Sequence, residues 1–297
     1  MKMQLSLIHT ILYIGMVFLF SSCDDDPISS RNSNNTFSTD TTMIINHTTT
    51  NITLIPDQWT IKARTDLHIA YGHTSHGSQL IDGMNGLITF KGNLYRFNGT
   101  GADSALELRD SPFSGAYDLG NPNRTAWEAA TRTYLNAHQE INVVIWSWCG
   151  QVSSATSDDI VTYLNLMNGL ERDYPSVKFV YMTGHLDGSG LSGNLHLRNE
   201  QIRVYCTANK KILYDFADIE SYNPDGIYFG DKISNDNCDY DTDGNGVRDG
   251  NWAIEWQNAH PGEWYNCGSA HSQPLNANQK AYAAWWLWAR LAGWSGQ

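Results

Sequence analysis

LHIAYGHTSHGS, Leu67 to Ser78, sets an apolar run against an abrupt polar loop rich in Gly and His. Leu67 to Tyr71 is too continuous for a strand with one wet face, so it reads as a parallel strand buried on both faces. Three further runs share the pattern: Val143 to Trp148, Val177 to Met182 and Ile212 to Phe216. Helical patterns cover Thr125 to Ala137, Ser157 to Leu170, Leu195 to Thr207 and Asn278 to Leu291. Ser157 is expected to cap the second of these, with Asp158 and Asp159 favourable in its first turn. In the last helix Ala281, Trp285, Trp288 and Leu291 form one stripe and Gly293 is the stop. Alternating strands and helices predict an α/β fold, a three-layer α/β/α domain around a central parallel sheet, with ligands bound outside the carboxyl ends of the strands.

The 31 acidic and 19 basic side chains give a net charge of −12 without a basic cluster. This excludes nucleic acid as a main partner and favours a neutral or weakly charged substrate. At the N-terminus an apolar run from Leu5 to Phe20 leads into Ser21-Ser22-Cys23 and Asp24-Asp25-Asp26. The run suits a signal-peptide core and is short for a membrane span. Small residues before a single Cys resemble a bacterial lipoprotein signal, which implies that 1–22 is removed, that Cys23 is lipidated, and that the chain is anchored to the outer membrane, exposed at the surface. Residues 23–55 are Ser/Thr/Asn-rich and are expected to form a flexible tether. That leaves 56–297 as one domain, expected to be monomeric, with an insertion over about 220–268. In an oxidising compartment Cys238 and Cys267, which bracket a Gly/Asp-rich loop, are expected to pair, leaving Cys149 and Cys206 open.

The segments after the strands carry the chemistry. Gly72-His73-Thr74-Ser75-His76-Gly77 follows the first, Cys149-Gly150-Gln151 the second, and Thr183-Gly184-His185-Leu186-Asp187 the third, while Ser269-Ala270-His271 precedes the last helix. A Ser at a tight strand-to-helix turn has its hydroxyl at the sheet edge beside helix N–H groups that can hold an oxyanion, and a His from another loop can act as its base. YGHTSHGSQLIDGM, YDLGNP, VVIWSWCGQ and AHSQPLNANQKAYAAWWLWARLAGW together resemble the SGNH (GDSL-type) hydrolases over roughly Leu67 to Trp294. The resemblance implies Ser75 as nucleophile, His271 as base, and Gly120 and Gln151 as oxyanion donors. Gly268 stands where the family has Asp, so His271 is oriented by another carboxylate, with Glu263 or the Asp215/Asp218 pair as candidates, or works with the serine as a dyad. His73, His76, His185 and Asp187 are candidate substrate-binding or acid/base residues, and His73, His76 and His185 also form an alternative metal set.

Asp239 to Asp249 alternates carboxylates around Gly244, as a calcium loop does, and resembles EF-hand-like and dockerin-like loops. Asp239, Asp241, Asp243, Asn245 and Asp249 are the expected ligands of a structural Ca2+, and no organic cofactor is expected. Trp252, Trp256 and Trp264 in the insertion, with Tyr222 and Tyr228 upstream, suit stacking on sugar rings or a small core of their own, and Trp256 is the residue expected to bind substrate. The function implied is a carbohydrate esterase that removes an acyl group such as acetyl from a polysaccharide. A non-catalytic glycan-binding lipoprotein and a His-based glycosidase or lyase are the alternatives.

Overall fold

The computed structural model describes residues 42–297; the signal segment and Cys23 lie outside the described residues. Seven strands form one parallel sheet: β1 (Met43–Ile45), β2 (His68–Gly72), β3 (Phe97–Asn98), β4 (Leu106–Asp110), β5 (Val143–Trp146), β6 (Lys178–Met182) and β7 (Ile212–Tyr214). Their order across the sheet is β1-β7-β6-β5-β2-β4-β3, every pairing parallel. The five central strands follow the flavodoxin-like order. The chain leaves β2 for β4 on one side and later returns to β5 on the other, so a switch point opens above the carboxyl ends of β2 and β5.

Helices α1 (Asp57–Asp66), α2 (Ser75–Lys91) and α8 (Pro274–Leu291) belong to one face, and α3 (Ala126–Ala137), α4 (Ser157–Asp173) and α5 (Asn194–Ala208) to the other. Each face has its own core, one built on Tyr71, Ile145, Met84, Trp285 and Trp288 and the other on Trp127, Val144, Tyr181 and Ile202. Alternate residues of one strand thus enter opposite cores, which is why the strand runs are apolar throughout. The short helix α6 (Phe216–Ile219) follows β7, and the insertion adds the antiparallel ribbon β8 (Asp239–Tyr240) and β9 (Gly250–Asn251) and helix α7 (Trp252–Ala259).

The four expected strands and four expected helices are present, and three expectations change. The tether ends earlier than residue 55, because Met43–Ile45 pairs with Ile212–Tyr214 as the sheet's edge strand. The cap of α4 is Thr156, which shares a reciprocal capping box with Asp159, and Ser157 is the first helical residue. Cys238 and Cys267 do not pair: all four described cysteines are free, Cys238 lying against Ser272 and Cys267 against Asn278.

Helix α8 is buried along nearly its whole length, and this includes Lys280. Lys280 and Glu220 are both fully buried, with Nζ 2.7 Å from Glu220 Oε2. Nζ also donates to Gln79 and lies 3.6 Å from the centre of the Phe216 ring. Burial pulls the Lys280 pKa down against the opposing pull of Glu220. Removing one partner strands the other charge in a dry interior. Lys280→Ala is expected to lower unfolding free energy by about 3–5 kcal/mol in a denaturant titration, and Lys280→Met combined with Glu220→Gln to recover part of that loss.

Candidate active site

β2 ends at Gly72, pressed against the Trp146 ring: a Cβ there would lie 2.2 Å from Trp146 Cε3. The chain then turns into α2 with Thr74 as N-cap. Gly77, in the first turn, faces Ser147 and His73 so closely that a Cβ would come within 2.2 Å of the Ser147 hydroxyl oxygen. The two glycines let the start of α2 settle onto the end of β5, which brings Ser75 and His76 to Cys149.

Cys149 is the centre of the arrangement. Its Sγ lies 3.2 Å from His76 Nδ1 and 3.5 Å from Ser75 Oγ. The other nitrogen of the same imidazole, Nε2, lies 3.0 Å from Asp236 Oδ2. Thiol, imidazole and carboxylate therefore stand in line, with His76 in contact at both ends. Hydrogen bonding from His76 outweighs burial and, with Ser75 adding to it, lowers the Cys149 pKa to about 6. Burial would depress His76, but Asp236 and Cys149 prevail and raise it to about 9. Both shifts run in the direction of a thiolate paired with an imidazolium. No side chain caps the start of α2, so the N–H groups of Ser75, His76 and Gly77 form the uncapped positive end of the helix whose Ser75 and His76 side chains reach this sulfur.

Asp118 fixes the approach from below. This buried carboxylate accepts from Thr74 Oγ1 at 2.6 Å, Gly120 N at 2.8 Å and Gln151 Nε2 at 3.1 Å, and Gln151 Oε1 in turn accepts the Cys149 N–H at 2.9 Å. Gly120 and Gln151, expected as oxyanion donors, are thus committed to Asp118 and act by placing Cys149. The amides of α2 remain as the donors available to a reacting carbonyl.

The other expected residues divide. His185 stacks on His76 with ring centres 3.6 Å apart and planes 2° apart, and His271 stacks on it at 4.6 Å. His271 reaches that position through a left-handed backbone, φ 61°, uncommon outside glycine. Among the described residues no hydrogen bond joins His271 to Ser75 or to a carboxylate. The space beside Gly268 is taken by Asp82, whose carboxylate would lie 3.0 Å from a Cβ at that position and accepts from Ser78. The orienters considered for His271 are engaged elsewhere or not bonded to it: Asp215 pairs with Arg203 and Asp218 with His47. His73 points away to Asp110, Nε2 to Oδ1 2.6 Å, and leaves the histidine cluster. Asp187 accepts from Ser189, and its backbone bridges to Asn235, which carries the insertion and hence Asp236 over the site.

Trp256 is mostly buried, with an edge on a separate cavity that Asp225, Glu263 and Gln279 also line. It lies in a small core with Phe229, Trp252 and Leu275, its N–H given to Asp225 and its face covered by His260 at 4.1 Å. In the acidic loop Asp241 accepts the N–H groups of Gly244 and Gly246, Asp243 that of Asn245, Asn245 that of Val247, and Asp249 that of Thr242. Asp239 stands apart, bonded to Asn235, Asn237 and Asn251. Among the described residues, the acidic, His and Cys side chains that converge as metal ligands do are His76, His185 and Asp236. The metal set read from His73, His76 and His185 is therefore revised, with Asp236 in place of His73.

Sequence reasoning missed Cys149, Asp236 and Asp118 as functional residues. Cys149 had a usable signal, a polar Cys-Gly-Gln at the end of the central strand, whereas Asp236 lies 160 positions from His76 with no local pattern. No family model, curated protein or solved structure matches this chain.

Burial raises the pKa of Cys206, and it pushes Cys238 and Cys267 each up to about 12. Iodoacetamide at pH 7 with EDTA present is expected to label Cys149 first, mapped by peptide mass, and its rate should fall only as pH drops through about 6. His76→Asn removes the imidazolium and is expected to slow labelling at pH 7 by about tenfold. An unchanged rate in that variant would mean that the ion pair does not form.

Proposed function

We propose that this chain is a hydrolase of ester-linked acyl groups, using Cys149 as nucleophile, His76 as proton carrier and Asp236 as the group that orients His76. The observation that carries the reading is the line from Cys149 Sγ through both nitrogens of His76 to Asp236. It lies at the switch point of the sheet and against the amides of a helix start, where an acyl oxygen can be held.

The thiolate attacks the acyl carbon, and the carbonyl electrons move to an oxygen received by the N–H groups of Ser75, His76 and Gly77. As the carbonyl re-forms, the ester C–O bond breaks and the imidazolium of His76 gives its Nδ1 proton to the leaving alcohol. The acyl group is now a thioester on Cys149. Water, giving a proton to the neutral imidazole, adds to that thioester; the acid leaves, and the thiolate and imidazolium are restored. Asp236 keeps Nε2–H paired throughout, so Nδ1 always faces the sulfur.

A polysaccharide remains the substrate class we favour. A cavity of about 340 Å3 begins at Leu186 and Asp187, next in sequence to His185, and is lined by Tyr222, Tyr228, Glu200 and Arg203, aromatic and polar groups of the kinds that bind sugars. The net negative charge and the lipoprotein-like start of the chain, with Cys23 as anchor, agree with a neutral surface glycan. The SGNH-like reading of the sequence keeps the same reaction class but assigns the attack to Ser75. One observation favours it as a second reading: Ser75 Oγ sits at the same helix start, 3.5 Å from the thiol.

The test is acyl release from acetylated glycans and from a chromogenic acetyl ester. Cys149→Ala is expected to lower turnover at least about a thousandfold, Asp236→Asn about a hundredfold, and Ser75→Ala less than about tenfold. A trapped acetyl group of 42 Da on the Cys149 peptide, about the mass that one acetyl adds, would mark the intermediate. If Ser75→Ala abolishes release and Cys149→Ala does not, the nucleophile is the serine.

A further inference from the structure

The proton relay leaves His185 unused, although it is buried beside His76. Its Nδ1 lies 2.7 Å from the Leu186 carbonyl oxygen and so carries the proton, which makes Nε2 a bare lone pair. Residue 185 is 8% exposed, and this Nε2 is a buried polar atom with no hydrogen-bond partner. An unpaired buried acceptor costs free energy unless something takes its lone pair. One ring nitrogen each of His185 and His76 and one carboxylate oxygen of Asp236 lie within 4.8 Å of one another, with His76 Nε2 already 3.0 Å from Asp236 Oδ2.

We propose that His76, His185 and Asp236 form a three-ligand site for a divalent ion of the zinc class. Two imidazole nitrogens and one carboxylate oxygen are the donors that such an ion takes at about 2.0–2.2 Å, with a fourth position left to water or substrate. The outer contacts are built as well. Leu186 O fixes the tautomer of His185, Glu220 holds the Leu186 N–H, and Asn237 N–H pairs with Asp236 Oδ1. The two rings are parallel, so coordination requires them to tilt until their lone pairs converge. The ion takes the Nε2 lone pair of His76 and so displaces the proton now shared with Asp236. Metal binding and the thiol relay are therefore alternative states of one imidazole. The site needs only these three side chains, and it does not depend on Cys149 being a nucleophile.

Full-length protein stripped with EDTA, titrated with zinc against a chromogenic zinc chelator, tests this. One zinc ion per chain is expected, with at least a tenfold loss of affinity in His185→Ala, in His185→Gln and in Asp236→Asn, and no such loss in Cys149→Ser. Thermal melts of the EDTA-stripped variants separate lost ligands from lost folding. Wild-type protein that takes up no zinc, or folded His185 and Asp236 variants that bind it as tightly as wild type, would overturn the site. Loss of binding in Cys149→Ser alone would assign the ion to the thiol instead. Labelling of Cys149 in the EDTA-stripped protein reports on the nucleophile separately, so either reading can fail without the other.

Discussion

Lys280 and Glu220, a charge pair with no exposure at all, fix the geometry on which the histidine and cysteine cluster depends. Buried charges are tolerated only when their remaining hydrogen-bonding capacity is filled, and here the groups that fill it belong to the site. Glu220 receives the N–H of Leu186, directly after His185, and the side chain of Asn276. Asn276 also holds the Ser272 hydroxyl, directly after His271. Gln79 receives Lys280 and donates to the carbonyl of Ala270, directly before His271, at 2.5 Å. One ion pair thus ties α2, α8 and the segments carrying His185 and His271 into a single unit. A low-dielectric interior makes each of these contacts costly to break, which holds the segments in one arrangement.

Above that base, the switch point decides which side chains can meet. β2 and β5 pair directly, with Gly72 opposite Trp146, so the residues that follow them emerge side by side. The 160-residue gap to Asp236 is closed by the insertion, which is held on one side of Asp236 by the Asp187–Asn235 bridge and on the other by Gln273, bonded to Asn237 at 2.8 Å. The acidic loop contributes to this indirectly. By folding onto its own amides it stiffens a ribbon whose base carries Asp236, and the Trp252 and Trp256 core locks the ribbon to α8.

Much of the fold was legible because its central strands are buried on both faces and cannot alternate. The edge escaped the same reading. β1 has three residues in a Thr- and Asn-rich stretch that looks like a tether, and β4 reads Leu-Glu-Leu-Arg-Asp, its polar positions serving an ion-pair group in which Glu107 meets both His68 and Arg109. The loops of the site were found from their position after the strands, but their internal roles were not. His73 and His76 are three residues apart with similar neighbours, yet one faces Asp110 and the other Cys149, and only the burial of α2 distinguishes them. In an exported chain the sequence leaves the pairing of Cys149 open. Its partner turned out to be an imidazole contributed from another strand end.

The assignment of roles within the cluster follows from which imidazole is held. A general base must present one nitrogen to the nucleophile while the other is pinned, because a ring free to rotate spends most of its time misdirected. His271 is exposed, stands on a strained backbone and has a ring without a hydrogen bond, and the space beside Gly268 where an orienting carboxylate would fit is filled by Asp82, turned to Ser78. His76 has the opposite properties: it is buried, stacked, and bonded at both nitrogens. The sulfur next to it is already acidified, whereas Ser75 has a hydroxyl whose partner is that same sulfur. A serine mechanism through His271 requires the imidazole to swing and to find a new carboxylate, while the thiol mechanism needs no rearrangement of the residues already in contact.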